Sequence, residues 1–120
     1  MKMALAATAT IVATLWAAST LAQQRVSPSV ASARANEQLF QAKCGMCHAK
    51  GGTGTLMLEK RLGAGHGVLA ERKDLNGDYI GVVVRNGLMS MPAITRVEVT
   101  DAQLAQIERH LLRNNADQAK

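Results

Sequence analysis

Apolar and polar positions change their period several times along this chain, and each change predicts an element. Residues 4–18 form a nearly unbroken run of small and apolar side chains, alanine with Ile11, Val12, Leu15 and Trp16. Residues 23–31 are polar and aperiodic, with a proline at position 28, and predict a flexible arm. From Ser32 a three- to four-residue spacing sets in through Ala35, Leu39, Ala42 and Lys43, with Glu37 and Gln38 as good helix formers. This predicts a helix running to about residue 48, with Phe40 as its large core residue. Lys50 to Leu56 is rich in glycine, and 59–74 is charged and irregular, with one helical turn expected over Val68–Arg72. Residues 78–87 are ambiguous. Their β-branched run suits a strand, but Ile80, Val83 and Val84 share one helical face between Asn76 or Gly77 and Gly87, so a helix is the preferred reading. The last element has the clearest signals. Thr100 caps it, Gln103 stands at the capping-box position, and Leu104, Ile107, Leu111 and Leu112 form its apolar stripe, with Asn114 and Asn115 as the stop.

The first apolar run follows Lys2 and ends in the small-residue pattern Thr20-Leu21-Ala22, which reads as a signal peptide over 1–22, cut after Ala22. It is short and alanine-rich for a spanning helix, so no stable membrane insertion is expected after cleavage. Export places the remainder in the periplasm as one small domain over 32–115, with a loose tail at 116–120. The fourteen Lys and Arg, one of them Lys2, exceed the nine Asp and Glu by five. They are scattered without interleaved aromatics, which argues against nucleic acid as a partner. Trp16 belongs to the leader, so Phe40 and Tyr79 are the only aromatic rings left to build a core.

The two cysteines supply the chemistry that fills this gap. Cys44-Gly45-Met46-Cys47-His48 reads C-x-x-C-H, the attachment pattern of a c-type haem. Two thiols at this spacing can each add to a porphyrin vinyl group, and the adjacent histidine is then held under the iron. A zinc site would need further close ligands, and a thioredoxin-like pair would need a βαβ pattern; neither is visible. Export would favour a disulfide between two nearby cysteines, but here the haem consumes both thiols. Glycines after His48 let the backbone pass close to the porphyrin. A carbonyl within Thr53–Thr55 is expected to accept the second ring N–H of His48. Leu56, Met57 and Leu58 are expected to pack on the haem. For the sixth iron position Met91 is the first candidate, because Pro92 stiffens the backbone that presents it. Met89 would point elsewhere on an extended chain and is read as core or haem-edge packing. His66 is read as a surface residue and His110 as packing at a helix crossing.

These residues together resemble the class I, mitochondrial-type cytochrome c family: all-α, one small domain wrapped around one covalent haem. Within it, Leu39-Phe40, Cys44-Gly45 through Lys50, Tyr79-Ile80, Val84-Arg85-Asn86-Gly87 and Ser90-Met91-Pro92-Ala93 resemble the cytochrome subunits of p-cresol methylhydroxylase and eugenol hydroxylase-type flavocytochromes. The resemblance covers about residues 36–112. It implies Cys44 and Cys47 as thioether carriers and His48 and Met91 as axial ligands. It also implies one-electron transfer with no enzymatic activity of the chain alone, and a flavoprotein dehydrogenase or other redox protein as partner. A free-standing shuttle between a dehydrogenase and a terminal oxidase is the alternative. An open-iron haem enzyme or gas sensor is disfavoured, because Met91 fills the position. The family commonly has proline where Thr55 stands and tyrosine where His110 stands, and 63–74 is longer than in compact relatives. The resemblance also suggests Arg85 near a haem propionate.

Overall fold

Ser27 and Pro28 start the first helix earlier than its apolar spacing suggests. In the computed structural model, which describes residues 27–115, helix α1 spans Pro28–Lys43. The Ser27 hydroxyl accepts the Val30 amide, and Pro28, with its backbone fixed near helical geometry and no amide to satisfy, occupies the first turn. Residues 28–31, expected in the flexible arm, are therefore helical. Their side chains are exposed, so local capping and not core burial extends the helix. The expected leader over 1–22, residues 23–26 of the arm and the tail at 116–120 lie outside the described residues.

Four more helices follow: α2 Gly45–His48, α3 Thr53–Leu62, α4 Gly77–Asn86 and α5 Asp101–Leu112, with a single 3₁₀ turn at Leu69–Glu71. Helix α3 corrects the expectation of irregular chain from residue 59. Leu56 to Leu62 are good helix formers almost throughout, and the glycines at 51, 52 and 54 masked a helix that begins among them. Gly63, at φ 97°, stops it, with its amide on the Glu59 carbonyl. The ambiguous segment is helix α4. Asn76 caps it by accepting the Tyr79 amide at 2.9 Å, and Gly87 ends it at φ 76°. No strand forms among the described residues; an isolated antiparallel bridge pairs Leu88 with Met91. The fold is all-α.

Helices α1 and α5 form the most extensive contact. Phe40, Ile80, Val99, Leu104, Ile107 and Leu111 are the buried apolar core, with Leu39, Leu69, Leu75, Val84, Ile94 and Leu112 packed against it. The stripe expected on α5 is thus the stripe that is buried, and Thr100 and Gln103 complete the capping box in both directions. The long loop after α3 is fastened at its far end. Asn114 donates to the Ala70 carbonyl at 2.9 Å and Asn115 to the Leu75 carbonyl. Within the loop Arg72 forks onto Asp74, which lowers that carboxyl to about 2.

His110 crosses α1 as expected, and its ring stacks on Phe40 with centroids 5.2 Å apart and planes at 28°. It is 5% exposed, and its Nε2 has no partner among the described residues. Burial lowers its pKa, the Arg113 charge adds to this, and Glu37 on α1 opposes both. The unfolded chain therefore takes up a proton near the ordinary histidine value, about 6.5, while the folded chain resists it. The stability tied to this ring is fully present above that pH and is lost as pH falls through the lowered value. Urea midpoints compared at pH 5 and 7.5 will drop more for the wild type than for His110→Phe; equal drops would remove His110 as the cause.

Candidate haem site

The cysteine motif sits at a break between helices. The helix expected to run through it ends at Lys43, and Cys44, at φ −124°, turns the chain into α2. Gly45 is buried against α1, where a β-carbon would stand 2.7 Å from the Gln41 Oε1, the end of a flexible side chain. The amides of Cys47 and His48 both reach back to the Cys44 carbonyl, at 3.2 and 2.9 Å. This single turn brings Cys44, Cys47 and His48 to a common half-buried depth, while Met46 between them is 91% exposed. That is the i, i+3, i+4 grouping the motif requires.

The chain after His48 folds back tightly. The Gly52 amide and the Thr55 hydroxyl both donate to the Ala49 carbonyl, at 2.9 and 2.8 Å. Thr55 is fully buried, and its hydroxyl fastens the loop. Sequence reading missed that role. Gly54 lies on the imidazole: a β-carbon there would stand 3.0 and 3.1 Å from Cε1 and Nδ1 of His48 and 2.9 Å from the Cys47 carbonyl oxygen. The expected carbonyl partner from Thr53–Thr55 is not formed. His48 Nδ1 is buried without a partner among the described residues, and the Thr55 carbonyl abuts Gly67 instead. The cause is helix α3, which turns the carbonyls of its first residues along its own axis and away from His48.

Met91 lies between α4 and α5. Its amide and carbonyl pair with Leu88 at 2.9 and 3.0 Å, which makes Met89 and Ser90 a two-residue turn. Met91 is half-buried. Met89 is 82% exposed, at φ 53°, with its sulfur 2.7 Å from an Arg61 Nη1. His66 is exposed, as expected.

The chemistry of these groups suits a covalent haem and suits the bland alternatives poorly. Burial, with Cys47 nearby, raises the Cys44 pKa, which opposes the thiolate that a zinc site or redox pair uses. Burial lowers the His48 pKa, which keeps the imidazole neutral and able to ligate. No cluster of three or more histidine, cysteine or acidic side chains able to hold a metal ion occurs among the described residues. Met57, Leu62, Tyr79, Val82 and Leu88 are among the large apolar residues left exposed beside a small core.

Residues 31–111 match the protein family described as cytochrome C oxidase, cbb3-type, subunit III. The chain belongs to this cytochrome c family. A relative is cytochrome c6 of Cyanidioschyzon merolae (strain NIES-3377 / 10D), 35% identical over 77 residues, covering 63% of this chain and 68% of that protein. No solved structure matches. The chain is a class I c-type cytochrome carrying covalently bound haem c, and its work is electron transfer. No helix of the cytochrome among the described residues is long and apolar enough to cross a membrane.

Proposed function

We propose that this cytochrome is exported to the periplasm and accepts electrons, one at a time, as a subunit of a flavoprotein that oxidises para-alkylphenols. Cys44 and Cys47 would carry the haem through thioethers. His48 would ligate through Nε2, with the other side of its ring packed against Gly54. Met91 would supply the sulfur on the opposite side. Bound there, the haem supplies a one-electron couple. With His48 and Met91 both holding the iron, the protein would offer no open site to substrate or oxygen. Its own task is to hold the ligand set unchanged in both oxidation states and to keep one edge accessible.

The observation that carries the flavocytochrome reading is the sequence leading into and through the Met91 loop: Val84-Arg85-Asn86-Gly87 and Met91-Pro92-Ala93 resemble those subunits. The terminal helix departs from them, because His110 and not a tyrosine stacks on Phe40. The second reading, a free shuttle serving a terminal oxidase, draws on the oxidase in the description of the matching family.

Purification from the native source in low and high salt separates them. A flavoprotein that stays bound through gel filtration supports the subunit; a lone haem protein whose exchange with redox partners slows as salt rises supports the shuttle. Mass spectrometry of the same material tests attachment and export together. The expected mass is that of residues 23–120 plus one haem.

A further inference from the structure

We propose that Arg85 is a positioning residue for the sixth iron ligand: it clamps the loop that carries Met91 between helix α4 and the start of helix α5. The inference rests on Met91 as that ligand. Arg85 does not touch the methionine; it holds the chain three residues beyond it. Its Nη1 donates to the Ile94 carbonyl at 3.0 Å, and its Nη2 to the Asp101 carboxylate at 2.8 Å. The Ile94 amide donates to the Val84 carbonyl on α4 at 2.8 Å. Both backbone groups of Ile94 are thus held by two consecutive residues of one helix. The Arg85 side chain is only 16% exposed, so its bonds compete little with water.

The near side of the loop is anchored differently. Gly87, in the left-handed region at φ 76°, lies against it: a β-carbon there would stand 2.7 Å from the Met91 carbonyl oxygen and 2.9 Å from the Ala93 amide nitrogen. The segment from Leu88 to Ala93 is therefore suspended between the Gly87 turn and the Ile94 clamp. Arg96 reaches the same Asp101 at 2.9 Å but bonds no atom of the ligand loop. Among the described residues, Arg85 alone has a side chain hydrogen-bonded from α4 to both the loop and α5. Each of its Nη groups makes one bond in this way, and its Nε is buried without a partner among the described residues.

An outside ligand can bind the iron only when the sulfur has left, so its apparent affinity scales with the fraction of open loop. Imidazole is the probe, titrated into the oxidised, haem-loaded cytochrome. Arg85→Ala is expected to bind it about tenfold tighter than the wild type, the effect of losing charge-assisted bonds that hold only the closed loop. Asp101→Asn and Arg85→Lys, which each keep part of the clamp, give smaller increases. Ile107→Ala, a core truncation that removes none of the clamp's hydrogen bonds, lowers the urea midpoint without raising imidazole affinity as Arg85→Ala does. Unchanged affinity in Arg85→Ala overturns the proposal. So does an increase in Ile107→Ala matching that of Arg85→Ala, since the effect would then follow global stability alone. If Arg85→Ala does not accumulate folded, the two partial variants decide, and no increase in either overturns the proposal. Met91→Ala tests the underlying assignment separately: a methionine-to-iron band that survives it removes Met91 as the ligand, whatever the Arg85 variants do.

Discussion

Met91→Ala is expected to abolish the far-red charge-transfer band of methionine-ligated ferric haem, and Met89→Ala to leave it in place. Both sulfurs lie in one short loop, so the prediction depends on backbone geometry. The Leu88–Met91 pairing places Met89 at the outer corner of a two-residue turn, in a left-handed conformation that costs a methionine about 1 kcal/mol. Its side chain is exposed and held by Arg61. Met91 follows the turn, half-buried, in a backbone that Pro92 confines to the extended region. Losing the thioether also lowers the reduction potential, since a soft sulfur ligand favours the ferrous state. Absorbance spectra and redox titration of the two variants check both statements. A band lost in Met89→Ala and kept in Met91→Ala would reverse the assignment.

Phe40→Ala costs about 3–5 kcal/mol of stability, the usual range for deleting a buried aromatic ring. The ring is 1% exposed and stacks on His110 at the crossing of α1 and α5. Small domains have only about 5–15 kcal/mol in total, so this one substitution removes a large share. Nothing nearby can refill the space with another ring, because Tyr79 is exposed on α4. Phe40→Leu, which keeps part of the volume, costs less. Urea unfolding of the haem-loaded protein measures both. A loss below about 1 kcal/mol for Phe40→Ala would show that the helix crossing is not the centre of the core.

What was legible in the chain follows the range of each signal. The α5 cap, its stripe and its stop are encoded within a dozen adjacent residues, so Thr100, Gln103, Leu104, Ile107 and Leu111 could be placed from spacing alone. Around α4 the signals were also local, Asn76 or Gly77 at the start and Gly87 at the end, but the β-branched run between them left a strand open. Helix α1 carried a local signal at Ser27-Pro28 that was passed over because its first turns are polar. Helix α3 was obscured because its glycines serve two ends: close packing on Cys47 and His48, and a helix start without a side-chain cap.

The roles of Thr55, Arg85, Asn114 and Asn115 had no local signature at all. Each acts on a backbone carbonyl between six and 44 residues away in the chain. The partner of His48 Nδ1 was misjudged for a related reason: which carbonyls face the imidazole depends on how α3 is tilted over it, and no residue spacing states a tilt.

By itself, then, the sequence determined that this protein is a small all-α cytochrome built for one covalent haem. Attachment needs two thiols and an imidazole within one turn, and five adjacent residues specify that completely. Only the tertiary structure decided how the distant parts of the site are held: a hydroxyl closing the loop after His48 and an arginine tying down the loop after Met91. Those assignments depend on directions in space between segments far apart in the chain, which are set when the helices pack.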